Sequence, residues 1–548
     1  MPEINIEVNN LVFLEVDRAL QRKDATQAET VAMNYLHTHK NVDAEWFFLL
    51  GMVYYKNLLF KEAAIIFNKA HVSAPNSLKF ALQLAKSYQM LGYYGKSEVI
   101  LRSLLSRDAD NDQVLMLLAV CVDVAGKGED ALAFIDRSIN INDANAEAKY
   151  LKVSFLVNAG YLDSAISLLD HIVKRQGDSD RVAALRSFAL ERQGKCQEAF
   201  ATVERLMPNT DLHAVALAYG RAAIHCDTNI ISNSFNGIKK WFKKNELFLI
   251  SNQDRSSLLF TLGHLADKIE RFEEAYQFYL EANFFSCVER YDRSTVSKFV
   301  NRCMMYEPND IRGVNNNGEI IFIVGMPRSG SSLIEKMLVK SGEIFGHGEP
   351  GYVGRVVRQI SNGDIVNYLG FLDTLNKDSV LSLANELKAA YRLVGGNLKH
   401  VDKMLFNYQF VPLIMKLFPD ARIIHVVRDY RDVALSCFAN NFSGYHPYKF
   451  FISDIIFQFR AHIEIMNRWK LLFPENIITL EYERLVYYPT STMSEILKFI
   501  GISPNYDVTK FYELNTACIT SSYSQVRQPL YRTSIGRWHL YQDIIDFE

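Results

Sequence analysis

The residues best suited to chemistry lie in Gly325-Met-Pro-Arg-Ser-Gly-Ser-Ser332. Glu319-Ile-Ile-Phe-Ile-Val324 before them is the β-branched and aromatic run of a buried parallel strand. Leu333–Lys340 after them has the pattern of an amphipathic helix. A strand, a glycine-bounded loop and a helix together aim backbone N–H groups and a helix N-terminus at an anion. In the phosphate loop G-x-x-x-x-G-K-[ST], the lysine reaches the β- and γ-phosphates. Here Ser331 stands at the lysine position and Ser332 at the [ST] position, while Arg328 lies inside the loop. A nucleoside triphosphate would lose its point charge, which disfavours kinase chemistry.

A second block, His425-Val-Val-Arg-Asp-Tyr-Arg-Asp-Val-Ala-Leu-Ser436, begins within another buried strand pattern, Arg422–Val427. Arg428 falls at its C-terminal end, the edge where open α/β sheets bind ligands. A planar guanidinium fork holds a dianionic phosphate in a fixed orientation. One phosphate and one sulfonate, with no γ-phosphate and no obligatory Mg²⁺, would be served by Arg328, the two serines and the loop amides. Pro327-Arg-Ser-Gly-Ser-Ser-Leu333 resembles the 5′-phosphosulfate loop of sulfotransferases that use 3′-phosphoadenosine 5′-phosphosulfate (PAPS). The flanking sequence is more similar to tyrosylprotein sulfotransferases and bacterial tetratricopeptide-sulfotransferase proteins than to cytosolic steroid or phenol sulfotransferases. The resemblance spans about residues 319–540, with four motifs in the family's order.

It implies a P-loop-like α/β domain with a central parallel sheet, PAPS as donor, PAP as product and no metal. It also implies roles. Arg328, Ser329, Gly330, Ser331 and Ser332 match the 5′-phosphosulfate loop, and Arg428 and Ser436 the 3′-phosphate pair. Asn440 departs from relatives that carry a further arginine there, so the 3′-phosphate grip is expected to borrow a cation, with Arg537 the lender. Tyr482 matches a cofactor-contacting tyrosine. The tail Ser522–Trp538 places Ser522, Gln525, Arg527, Pro529, Arg537 and Trp538 in the cofactor segment, with Ser522 stabilising the transferring group.

Sulfuryl transfer, like phosphoryl transfer, needs positioning, charge stabilisation and a base for the acceptor O–H. In tyrosylprotein sulfotransferases a glutamate at the place of Glu349, in Gly346-His-Gly-Glu-Pro350, is the base. Other sulfotransferases use histidine, and His347 is two residues away; Glu349 is preferred, against the bland reading of a helix N-cap beside Pro350. Lys403, in Asp402-Lys-Met404, matches the catalytic lysine that bridges phosphate and sulfonate. Its alternative is a solvated lysine after a loop. Arg328 and Ser522 complete the implied catalytic set. His400, His425, His446 and His539 read as structural, since no pair has metal-ligand spacing. Tyr445, His446 and Tyr448 are candidates for the acceptor groove.

The first half of the chain is built differently. From Ala63, steps of 34 residues, the tetratricopeptide period, reach Ser97, Ala131, Ala165 and Ala199, all small. From Tyr54 they reach Tyr88, Val122, Leu156 and Leu190; from Phe67, Leu101, Ile135, Leu169 and Val203. Gly92, Gly126, Gly160 and Gly194 fall between the helices, where a left-handed turn costs glycine little. A further unit returns at Leu262-Gly263, Ala275, Tyr279 and Ala282. The expected organisation is an α-helical tetratricopeptide solenoid over 1–300, a linker over 301–318 and the sulfotransferase domain over 319–548. Within the solenoid, 1–43 is a cap, 44–213 clear repeats, 214–255 degenerate or inserted, and 256–289 a further repeat. Such arrays bind extended peptides or partner proteins.

Composition limits the rest. At 548 residues, 49% hydrophobic and 22% charged, the chain is ordinary globular material. Sixty basic against 62 acidic residues argues against coating nucleic acid or an anionic membrane. The absence of a long apolar run predicts no membrane span, and the opening residues lack a signal peptide's pattern. Seven scattered cysteines with no CxxC pair fit reduced thiols and a cytoplasmic location. The expected activity is PAPS-dependent sulfonation of a hydroxyl, protein tyrosine first, with the solenoid recruiting a peptide or protein substrate. The alternatives are a carbohydrate or small-molecule O-sulfotransferase, or a repeat scaffold with a nucleotide-binding domain. A homodimer stays open.

Overall fold

The computed structural model describes residues 2–22, 24–38, 43–125, 127–245, 251–287, 289–308, 313–315, 318–442, 446–503, 505–513 and 528–548. The chain forms two compact units, Met1–Val288 with Asn441–Tyr445, and Glu289–Asn440 with His446–Glu548.

The first unit is an array of helix pairs. Five pairs open at Ala44, Leu78, Asp112, Ala146 and Asp180, keeping the repeat period throughout. Ala63, Ser97, Ala131, Ala165, Ala199 and Ala275 are all fully buried, as the close approach of paired helices demands. A Cβ on Gly51 would lie 2.6 Å from the Phe67 ring, and one on Gly263 would lie 2.4 Å from the Tyr279 ring. The Leu-Gly pairs are therefore packing requirements. The turn glycines Gly92, Gly160 and Gly194 have φ of 80°, 84° and 86°. Leu58 (φ 62°) and Glu270 (φ 61°) hold the same left-handed turn with a side chain, at about 1 kcal/mol each. Gly126 lies outside the described residues.

The stretch expected to be degenerate or inserted includes a helix pair, His213–Ala223 and Thr228–Asn245. Gly220 replaces the missing signature: a Cβ there would meet Thr261 Cγ2 at 2.5 Å and Ile238 Cδ1 at 2.6 Å. Trp241 donates its indole N–H to the Thr210 carbonyl (2.8 Å), closing the pair. The N-terminal segment expected as a cap contains the helices Pro2–Gln21 and Ala25–Thr38.

The second unit carries strands β1 (Ile320–Gly325), β2 (Ile344–Gly346), β3 (Lys399–Asp402), β4 (Arg422–Val427) and β5 (Ile477–Glu481). All pairings are parallel and the order is β2-β3-β1-β4-β5. β1 is buried on both faces. Ile320, Phe322 and Val324 enter one core and Ile321 and Ile323 the other, which is the period-two division of a strand. Strand order reverses at β1, so the crevice beyond the carboxyl ends of β1, β3 and β4 is the place for a ligand.

The boundary differs from the one expected. The helix Arg293–Met305 is neither array nor linker: Phe299, Val300, Cys303 and Tyr306 are buried in the same core as β1 residues. Arg293 is paired with Asp454 at 2.6 Å, and Arg468 donates to the Tyr306 carbonyl at 2.8 Å. The helix's amphipathic pattern reads like one more repeat helix; only its packing assigns it. Among the described residues no helix is long and apolar enough to cross a membrane.

Candidate active site

β1 ends at Gly325, where a Cβ would lie 2.6 Å from the Val426 carbonyl oxygen of β4, so the strand pair itself requires glycine. The loop reverses through Arg328 (φ 68°) and Gly330 (φ 101°), both left-handed, and Gly330 caps the helix Ser331–Val339. A side chain on Gly330 would start 2.3 Å from Tyr482 Cδ2. An arginine held in this conformation is backbone strain of the kind that clusters at ligand clamps. Ser329, Ser331 and Ser332 are buried. The Ser329 hydroxyl has no hydrogen-bond partner among the described residues, and a buried donor left so fits a phosphate or sulfonate oxygen.

Arg428 follows β4 and donates to the Arg328 carbonyl (3.0 Å) and to the Ser534 carbonyl. It stacks on the Tyr482 ring at 4.9 Å and stands 3.6 Å from Asp432. Arg328 donates through Nε to Ser436 Oγ at 2.9 Å. The expected phosphate residues Arg328, Arg428, Ser436 and Tyr482 thus meet around one loop. Tyr482 and Ser534 share a hydroxyl hydrogen bond of 2.7 Å.

Buried Asp432 accepts from the amides of Gly536 (2.8 Å) and Trp538 (3.0 Å), so the turn bearing Arg537 is pinned to the same carboxylate that faces Arg428. Arg431 stacks on Trp538 at 3.6 Å, and Arg537 itself is exposed. Asn440 turns its amide back to the Ser436 carbonyl (2.6 Å). Beside it lies a cation that sequence reasoning missed: Lys449, buried, with Nζ 3.4 Å from the Asn440 carbonyl. Cys437, donating to the Pro327 carbonyl, is an inert thiol that burial pushes up to about 12.

The second constellation forms where β2 and β3 end. Lys403 is wholly buried, its amide donating to the Gly348 carbonyl (2.8 Å) and its Nζ to Glu349 Oε1 (3.0 Å). The Glu349 side chain is 46% exposed, so a half-open carboxylate sits over a closed cation. Beneath Lys403 lies Glu335, 3.8 Å from Nζ, which sequence reasoning passed over. Asp402 accepts from Tyr391 OH, the Met404 amide (2.8 Å) and Asn407 Nδ2 (3.1 Å), fixing the strand end that aims Lys403. Burial raises its carboxyl to about 6.

His347 faces elsewhere. Its Nε2 meets His400 Nδ1 at 3.1 Å amid Phe345, Tyr352 and Tyr391, and burial, then His400, lower it to about 4. His425 pairs with buried His462 at 2.9 Å, and burial lowers it to about 3. His446 lies between Phe406 and Tyr448, and His539 lies on Trp538. Tyr448, a candidate for the acceptor groove, is 2% exposed and packs into the interior. Ser522, Gln525, Arg527 and Tyr445 lie outside the described residues.

Residues 320–506 match the model of the sulfotransferase family. The chain thus joins an array of helix pairs at a 34-residue period to a unit that resembles sulfotransferases over residues 320–506. It is 28% identical over 311 residues to an uncharacterized protein of Aquifex aeolicus, covering 54% of this chain and 41% of that protein. It is 23% identical over 240 residues to protein-tyrosine sulfotransferase 1 of Danio rerio, covering 41% of this chain and 66% of the relative. It therefore spans less than two thirds of either relative. Among solved structures, a tetratricopeptide repeat protein from Parabacteroides merdae aligns with 47% of this chain and 99% of its own, at 13% identity and a TM-score of 0.39. The sulfotransferase domain of the Synechococcus PCC 7002 olefin synthase aligns with 43% of this chain and 90% of its own, at 19% identity and a TM-score of 0.30.

Proposed function

We propose that the second unit transfers a sulfonate from PAPS to a hydroxyl acceptor, with protein tyrosine as that acceptor, and that the repeats recruit the substrate protein. When bound, PAPS supplies an activated sulfonate on a phosphate leaving group. The loop amides with Arg328, Ser329, Ser331 and Ser332 would hold the phosphosulfate end, and Arg428 with Ser436 the 3′-phosphate. Tyr482 packs under the loop and holds Ser534, completing that wall. Lys403 carries positive charge toward the leaving phosphate, while Glu349 removes the acceptor proton. Ser522 and Arg537 keep the roles their motif implies, stabilising the transferring group and lending a cation.

The observation that carries this reading is the Lys403–Glu349 pair: a closed cation and an open carboxylate 3.0 Å apart at the strand ends beside an anion loop. It also favours one of the two candidate bases. Glu349 is paired with the catalytic lysine and open to solvent, whereas His347 is spent on His400. The tyrosine acceptor draws support from the named activity of the Danio rerio relative and from the glutamate base. The test is transfer of labelled sulfonate from PAPS to tyrosine peptides by the full chain, with oligosaccharides and small phenols run in parallel. Labelled tyrosine peptide is the expected product; label on sugars alone would replace the acceptor, and no transfer to any class would end the reading.

A further inference from the structure

Glu335 stands one helical turn past the anion loop, on the helix Ser331–Val339, in a place no motif marks. It is largely buried, its side chain 14% exposed. One oxygen, Oε1, accepts the Gly348 amide at 2.8 Å; the other, Oε2, lies 3.8 Å from Lys403 Nζ. Gly346 makes room for it, since a Cβ there would approach Glu335 Oε1 to 3.1 Å. One buried cation thus sits between two carboxylates, one closed and one open, and the closed one also holds the turn that carries the open one.

This arrangement addresses a difficulty in the reading above, on which the inference rests. A base whose only neighbour is a lysine 3.0 Å away is a weak base, because the ion pair stabilises its charged form. We propose that Glu335 is a positioning residue: its carboxylate is a second counter-ion of Lys403, and it leaves Glu349 able to take the acceptor's proton. With Glu335 sharing the cation, Lys403 can turn toward a donor phosphate without stranding a buried charge. The Gly348 hydrogen bond fixes where Glu349 stands while this happens. Burial raises the Glu335 carboxyl, and Lys403 opposes that. The charged groups facing it are Lys403 and Asp402 from the end of β3, Glu349 from the turn after β2, and Lys336 from its own helix.

Glu335→Gln keeps an oxygen for the Gly348 amide but removes the competing charge. Glu349 then has Lys403 to itself and loses a repelling neighbour, so both changes lower its titration midpoint. The experiment is carboxyl ¹³C NMR of the full chain labelled at glutamate Cδ. Glu349 and Glu335 are assigned by loss of signal in Glu349→Gln and Glu335→Gln. The Glu349 midpoint should fall by about half a pH unit or more in Glu335→Gln, and Glu335→Asp should restore most of it. An unchanged or raised midpoint overturns the proposal. Lys403→Met provides an independent arm: both glutamate midpoints should rise, and a rise at Glu349 alone overturns it. Neither arm requires turnover. A chain that shows both shifts yet moves no sulfonate refutes the enzymatic reading and keeps the charge sharing. A chain that moves sulfonate without these shifts does the reverse. In an active chain, the acid limb of kcat/KM should move down in Glu335→Gln in step with the NMR midpoint.

Discussion

In the repeat array, Lys79 reaches Glu45 and Arg181 reaches Glu147, each across 34 residues, and all four side chains are at least 38% exposed. In the second unit Lys403 is wholly buried between two glutamates, and Asp402 and Asp432 lie buried at strand and helix ends. The array thus places these repeat-to-repeat pairs on its surface, where each contributes little. Its interior is small residues, aliphatics and aromatics repeated with the helices. Glu191, Lys149 and Asp267 depart from that rule: all three are buried, Glu191 pairing with Arg221 and Lys149 with Asp143, each at 2.7 Å. The second unit takes charge inside, where desolvation is costly, and Asp402 and Asp432 are each held by more than one hydrogen bond. Charge at the repeat period lies on the surface, whereas charge at the converging strand ends of the second unit is buried.

The contrast can be broken from either side. The largest expected effect is at Lys403: Lys403→Met should cut turnover by ~10³-fold or more, by losing the cation at the leaving group. Thermal stability will also change, since two carboxylates lose their partner, so turnover is to be read at a temperature where circular dichroism shows the variant folded. Next comes the boundary. A chain beginning at Glu289 should fold, whereas one beginning at Asn301 deletes buried Phe299 and Val300 and should lose several kcal/mol, about 3–5 for the phenylalanine alone. Equal melting temperatures for the two would return the helix Arg293–Met305 to the array. The chain beginning at Glu289 should keep its affinity for PAP and its activity on a short tyrosine peptide, while KM for the natural protein substrate rises.

Arg428→Ala should weaken PAP by ~2–3 kcal/mol in calorimetry without Mg²⁺, the usual effect of losing a charge-assisted phosphate contact. Equal affinity of the native chain for PAP and for its 3′-dephospho form would dismiss the 3′-phosphate assignment. In the array the effects shrink. Glu270→Gly relieves a left-handed turn and should raise stability by about 1 kcal/mol in urea unfolding. Lys79→Ala should change it by less than about 0.5 kcal/mol; a larger loss would mean that surface pairs hold the repeats after all.

The sequence disclosed these regions unequally. Repeat period, small interior positions and turn glycines were readable because each repeat packs on its neighbours, so local spacing carries the tertiary contacts. Leu58 and Glu270 escaped notice since they break the glycine signal while keeping the turn. The strand–loop–helix succession around Gly325–Ser332 was readable for a similar reason: its parts are contiguous. Glu349 and Lys403 are 54 residues apart, and only the family resemblance joined them. Glu335 had no signal: on a helix its carboxylate could face solvent, and only strand order brings it under Lys403. Helix Arg293–Met305 was misplaced because amphipathicity does not say which core a helix enters. Asp432 shows the same limit, being a buried polar residue whose partners, the amides of Gly536 and Trp538, are distant in sequence.

The central claim is that Glu349, and not its histidine neighbour, removes the acceptor proton in a PAPS-dependent transfer. It is tested most directly by single-turnover transfer of labelled sulfonate from saturating PAPS to a tyrosine peptide, comparing Glu349→Gln and His347→Gln with the native full chain above pH 6. His347, with its proton affinity lowered to about 4, is neutral there, and its loss should change the transfer rate little. Glu349→Gln should lower the rate by ~10²–10⁴-fold while PAP affinity stays unchanged. A crippled His347→Gln beside a nearly native Glu349→Gln would contradict the account.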